Sequence, residues 1–114
     1  MASVFLVEDE VLIRMMVTDM LEELGHTIAA EAGNLAAAMA LAKSAKFDFA
    51  ILDVSLGREN SKPVAEALLA RDIPFAFASG YASDGVPEEF RAVPLLKKPF
   101  QLDQLELCIA KLLT

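Results

Sequence analysis

Residues 3–10 read Ser-Val-Phe-Leu-Val-Glu-Asp-Glu, a continuous apolar run rich in β-formers that stops abruptly at three acids. An unbroken apolar run of this length suits a strand buried on both faces, as in a parallel sheet. The pattern returns downstream: Phe49-Ala50-Ile51-Leu52 ends at Asp53. Residues 75–78, Phe-Ala-Phe-Ala, end at Ser79-Gly80, and residues 93–96 end at Lys97-Lys98-Pro99. Residues 27–32 read as a further short strand.

Between these runs the apolar spacing becomes helical. Over residues 11–24, Ile13, Met16, Val17, Met20, Leu21 and Leu24 recur at helical intervals, with acids expected in the first turn and Gly25 just past the end. Asn34 is placed to cap an alanine-rich helix to about Ser44, its apolar side carried by Leu35, Met39 and Leu41. A polar loop is expected over 55–62, and Pro63 suits the opening of a helix through Leu69. Gly85 and Pro87 limit residues 82–92 to a short helix through Glu88, Glu89 and Phe90, and a last helix is expected over 102–113. Strands alternating with helices over short connections predict an α/β fold. Its parallel sheet should be covered on both faces through right-handed crossovers. Functional residues should then gather beyond the carboxyl ends of the strands.

Bulk properties narrow the function. The chain has 114 residues, 55% of them hydrophobic, which suits one domain over 1–114. Charges and turn residues interrupt every apolar stretch well short of a bilayer's width, and residues 1–10 have no basic stretch or cleavage signal. A cytoplasmic protein without membrane contact is the expectation. A net charge of −7 and a pI near 4.6 argue against direct nucleic-acid binding, which needs clustered Lys and Arg. Output should pass through protein partners. The lone Cys108 falls in a helical pattern and reads as core filler, and His26, after Gly25, reads as a turn residue without function.

The strand ends bring together Glu8 and Asp9, then Asp53, Ser79 and Lys98. Each has a bland reading by itself: helix-start acids, a strand-end acid, a turn hydroxyl, a solvated cation. Their common placement at successive strand ends argues otherwise. Three neighbouring carboxylates repel one another, and a cation is the simplest compensation. The ligands are hard oxygens, which fits Mg²⁺, and one Cys and one His make no soft-metal pattern. A carboxylate attacking phosphorus, with a lysine and a hydroxyl on the phosphoryl oxygens, is the chemistry these residue types support.

An acidic pair after the first strand, Asp after the third, Ser after the fourth and Lys-Pro after the fifth resembles the response-regulator receiver family over essentially the whole chain. The resemblance implies a flavodoxin-like (βα)5 doubly wound fold, five parallel strands in the order 2-1-3-4-5 with helices on both faces. It implies that Asp53 is the phospho-acceptor, and that Glu8, Asp9 and Asp53 bind Mg²⁺ with the backbone carbonyl of Ser55. The Gly80 amide, Ser79 and Lys98 would then hold the phosphoryl group. The family's lysine directly precedes a cis proline, which selects Lys98 over Lys97. The implied role is a single-domain switch with no output domain, phosphorylated by a histidine kinase, and an enzyme only in catalysing its own phosphorylation and dephosphorylation.

The chain departs from the common family form at Leu95, where most receivers carry a switch aromatic three residues before the lysine. Residues 74–81, Pro-Phe-Ala-Phe-Ala-Ser-Gly-Tyr, resemble the PFxFATGY signature of the FATGUY receivers, with Ser79 in place of threonine. Tyr81 is then the candidate to take over the aromatic role or to gate water, against the plainer reading of a tyrosine covering the core edge. That resemblance implies an HWE or HisKA2-type kinase. Relay to a phosphotransfer protein, a phosphate sink and binding of a target protein all stay open. An FMN-binding flavodoxin is rejected because Glu8-Asp9-Glu10 would repel its phosphate. A haloacid-dehalogenase phosphatase needs a second acid two residues after its nucleophile, where Ser55 stands. A phosphorylation-independent pseudo-receiver would normally lack one of the key residues, all of which are present.

Overall fold

The computed structural model describes residues 2–80 and 85–114. Five parallel strands, β1 (Ser3–Val7), β2 (Thr27–Ala32), β3 (Phe49–Asp53), β6 (Phe75–Ser79) and β7 (Leu95–Lys97), form one sheet in the order β2-β1-β3-β6-β7. Counting only these strands, this is the expected order 2-1-3-4-5. Between β3 and β6 a two-stranded antiparallel hairpin, β4 (Ser55–Leu56) and β5 (Glu59–Asn60), stands apart from the sheet.

The continuous apolar runs become strands because both faces are covered. Phe5, Val7, Ala50, Leu52 and Phe77 join one cluster with α2 (Leu35–Ser44) and α3 (Lys62–Ala70). Val4, Leu6, Phe49, Ile51 and Ala76 join the other with α1 (Val11–Glu23) and α4 (Leu102–Leu112). Successive residues of a strand thus enter opposite cores, which is why no polar alternation shows in the sequence. Phe5, Phe49 and Phe77 are fully buried, each worth about 2 kcal/mol in apolar transfer.

Several local expectations hold. Asn34 accepts from the Ala37 amide at 2.8 Å as the α2 cap, and Gly25 takes φ +91° beyond α1. The Lys98–Pro99 bond is cis, and Cys108 is buried. His26 accepts from the Ala2 amide through Nδ1 at 3.2 Å and packs edge-on against Phe49.

Others change. The expected polar loop over 55–62 contains the hairpin, whose turn is Gly57-Arg58 with φ +65° at Gly57, a Gly-first two-residue turn. α3 begins at Lys62, one residue before Pro63. The three acids precede α1 rather than occupying its first turn, and Glu10 is its N-terminal flanking residue. The last strand starts at Leu95, with the Pro94 carbonyl just before it accepting from the Phe77 amide of β6 at 2.9 Å. The short fourth helix is a single 3-10 turn, Glu88–Phe90, seated by Phe90 against Phe75 and Phe77. No helix among the described residues is long and apolar enough to cross a membrane.

Candidate functional site

Strands β1, β3, β6 and β7 end at the same edge of the sheet, and their register brings the strand-end residues together. Carboxylate oxygens of Glu8, Asp9 and Asp53 lie within 4.8 Å of one another. Glu8 and Asp53 are buried, at 3% and 7% exposure, where unpaired charge is costly. Lys98, reaching in from beyond β7, answers both: its Nζ donates to Glu8 Oε1 and lies 3.1 Å from Asp53 Oδ2. The Lys98 amide donates to the Ser79 carbonyl at 2.8 Å, tying the lysine's backbone to the end of β6.

Asp9 is held differently. Its Oδ2 accepts from the Gly57 amide at 2.9 Å, so the turn of the β4–β5 hairpin sits on the acid loop. A cavity of about 370 Å³ opens above these groups, lined by Asp9, Glu10, Asp53, Ser55, Gly57, Ser79, Gly80 and Lys98. Glu8 lies beneath it, engaged by Lys98 and by the Glu10 amide, which donates to Oε2 at 3.1 Å.

The electrostatics separate the carboxylates. Burial, and then the charge of Glu8, push the Asp53 carboxyl up to about 7 against the opposing pull of Lys98. Burial also works against ionised Asp9. There the Gly57 amide and hydrogen bonding with Glu8 and Asp53 prevail, holding its carboxyl below the ordinary value. Burial of Lys98 disfavours its charge, but Glu8 and Asp53 more than compensate and raise it.

One ammonium therefore does not neutralise the cluster, since Asp53 remains far above its ordinary value with Lys98 beside it. A small dication would. Closely spaced hard oxygens beside an open polar cavity fit Mg²⁺, which keeps several waters and accepts phosphate oxygens as further ligands.

The sequence-derived set thus assembles: Asp9, Asp53, Ser55, Ser79, Gly80 and Lys98 line one cavity, with Glu8 under it. Leu95 does not join them. It is 36% exposed on β7 and lines a separate groove with Gln104, Leu107 and Lys111, away from the acids. Tyr81 lies outside the described residues. Gly57 was missed from sequence because its part is a backbone amide. The available signal was a glycine able to open a two-residue turn four positions after Asp53.

A family model for the response regulator receiver domain matches residues 4–110. The chain is 34% identical over 106 residues to the transcriptional regulatory protein PdtaR of Mycobacterium tuberculosis, covering 90% of this chain and 52% of that protein. It therefore spans about half the length of the curated relative it matches. Among solved structures, SdrG from Sphingomonas melonis Fr1 superposes with a TM-score of 0.89 at 47% identity, covering 100% of this chain and 98% of that one. The BeF3-activated conformation of SdrG from Pseudomonas melonis Fr1 gives a TM-score of 0.83 at 48% identity, covering 98% and 96%.

Proposed function

The chain belongs to the response-regulator receiver family of two-component systems, and from that premise we propose that Asp53 accepts a phosphoryl group in a Mg²⁺-dependent reaction. The observation that carries the reading is the Asp53 carboxyl itself. It is buried at a strand end, raised to about 7, and set between two further acids and the Lys98 ammonium at the floor of an open cavity.

In the proposed site Glu8, Asp9 and Asp53 would hold Mg²⁺, with the Ser55 carbonyl as a further ligand, and the bound ion would offset the charge of the carboxylates and of the incoming phosphoryl oxygens. Asp53 in its ionised form attacks the phosphorus of the donor. A carboxylate oxygen–phosphorus bond forms, and the bond from phosphorus to the leaving group breaks with its electron pair departing on that group. Lys98, already 3.1 Å from Asp53 Oδ2, turns its charge toward the phosphoryl oxygens. Ser79 and Gly80, both lining the cavity, would hold the remaining oxygens through the hydroxyl and the backbone amide. Hydrolysis of the acyl phosphate later restores Asp53.

The physiological donor in this reading is a histidine kinase, and residues 1–114 act as the receiver unit, signalling by protein contacts to a phosphotransfer or target protein. The net charge of −7 supports protein rather than nucleic-acid partners.

The test is intact mass after incubation with Mg²⁺ and acetyl phosphate, with Asp53→Asn and a metal-free sample alongside. One phosphoryl adduct is expected in wild type with metal and in neither control. A BeF3-activated conformation exists for a protein 48% identical, which supports beryllofluoride as a second probe. No adduct together with no beryllofluoride binding would overturn the proposal in favour of a pseudo-receiver.

A further inference from the structure

The acid loop between β1 and α1 is only three residues long, yet it must aim the carboxylates of Glu8 and Asp9. Its two ends are held by the backbone: the Glu8 amide donates to the Ala32 carbonyl at 3.0 Å, and the Glu10 carbonyl accepts from the Arg14 amide at 2.9 Å. The Glu8 carbonyl, on the peptide that joins Glu8 to Asp9, is held by a side chain. It accepts from Arg14 Nη1 at 2.9 Å, and rotation of that peptide would swing the Asp9 side chain away from Asp53.

Arg14 is itself braced. Its Nε lies 3.6 Å from Glu31 Oε1 on the neighbouring strand β2. Its guanidinium lies against Gly33, where a Cβ would stand 2.6 Å from Nη1 and 3.7 Å from the Glu8 carbonyl oxygen. Gly33 is not among the positive-φ glycines, which are Gly25, Gly57 and Gly85, so its backbone does not require glycine. The guanidinium does.

We infer that Arg14 is a positioning residue for the proposed Mg²⁺ site, fixing the Glu8–Asp9 peptide, and that Gly33 leaves the space in which its guanidinium works. The inference rests on the Mg²⁺ reading above and extends it to residues that touch neither metal nor phosphoryl group. Charge alone predicts the opposite sign: a cation beside the site repels Mg²⁺, so its removal would tighten binding. Geometry predicts loosening, because partners that orient metal ligands commonly matter for affinity by about 10-fold or more.

The experiment uses the full chain as wild type, Arg14→Ala and Gly33→Ala, with Mg²⁺ titrated against backbone amide NMR shifts. Acetyl phosphate labelling rates are measured over the same Mg²⁺ range. Gly33→Ala keeps every charge and displaces only the flexible end of Arg14, so it decides the matter even if Arg14→Ala fails to fold. The expected result is Mg²⁺ binding about 10-fold weaker in both variants, with labelling at saturating Mg²⁺ close to wild type. If wild type binds Mg²⁺ and Gly33→Ala binds it as tightly or more tightly, the Arg14 inference is overturned while the site stands. A labelling rate lowered at saturating Mg²⁺ with unchanged affinity overturns it as well. If wild type itself binds no Mg²⁺, the underlying site fails and the inference with it.

Discussion

The acid loop at the end of β1 and residues 85–90 beyond β6 are both tied to the β4–β5 hairpin but are secured in different ways. Glu8 is buried and tied to β2, to α1 and to Lys98, while Asp9 is tied to the hairpin turn. Residues 85–90 are held by Val86 and Phe90 in the core and by two solvent-facing contacts. These are Asn60 Nδ2 donating to the Gly85 carbonyl at 2.8 Å and Lys62 Nζ to Glu89 at 2.9 Å. An exposed ion pair is worth little in water. In the proposed switch the first region would serve as the receptacle, and the second would be the surface that responds to it. A switch needs both, since a ligand shifts an equilibrium only by contacting its two states differently.

The strongest way to break this contrast is at Lys98. Lys98→Met keeps the apolar stem and removes the one ammonium that bridges Glu8 and Asp53 among the described residues. A loss of about 2 kcal/mol in unfolding free energy is expected, since two buried acceptors lose a charged donor. Asp53 labelling should slow by about 100-fold, the scale of losing one aimed charge-stabilising group. Denaturant unfolding and acetyl phosphate kinetics measure the two. A variant as stable as wild type would mean that the receptacle is not held by its ion pairs.

Next in size is the pH response of the metal-free protein. With Asp53 raised to about 7 from its ordinary 3.8, the folded state binds more protons than the unfolded one between those values. The Asp53 contribution to stability is thus fully present below about pH 4 and lost as pH rises through 7. His26, lowered by burial, has the opposite sign, stabilising above its ordinary 6.5 and losing that contribution below it. Asp9, held low, matters only in more acid solution. The difference between wild type and Asp53→Asn isolates Asp53. It should grow in favour of the variant from pH 4 to 7 and shrink on adding Mg²⁺. Thermal unfolding across that range checks it, and a flat difference would mean Glu8 and burial do not act on Asp53 as described.

The two regions also differ in how legible they were. Glu8, Asp9, Asp53, Ser79 and Lys98 could be read from sequence because a parallel sheet turns strand ends into neighbours, so a one-dimensional pattern of apolar runs already encodes their convergence. Gly25 and Asn34 were legible because capping is local. The hairpin was not, since Ser55-Leu56 and Glu59-Asn60 are too short to show a period. Arg14 and Asn60 act on backbone carbonyls and Gly33 through steric space, and neither leaves a trace in residue spacing. Leu95 falls on its strand with its side chain on the exposed side, while the next residue, Leu96, enters the core, and which of two successive residues faces inward on an edge strand is not marked by an apolar run.

The hairpin joins the regions, and its removal as a linker is the smallest and most discriminating change. Gly57 in its turn donates to Asp9, and Asn60 at its far end donates to Gly85 while its Oδ1 accepts from the Lys62 amide at 2.8 Å. Asn60→Ala removes exposed hydrogen bonds only, for an expected cost of about 0.5 kcal/mol. If the receptacle and the movable segment are mechanically separate, beryllofluoride should still shift the amides of residues 85–90 as in wild type. If the hairpin couples them, Mg²⁺ binding should be unchanged while those amide shifts shrink. The second result is expected, because the Asn60 side chain bonds to Gly85 and Lys62 and the variant leaves the backbone pairing of the hairpin in place. A loss of Mg²⁺ affinity in Asn60→Ala would instead mean that the receptacle depends on the segment it was contrasted with, and the division between a fixed half and a mobile half would fall.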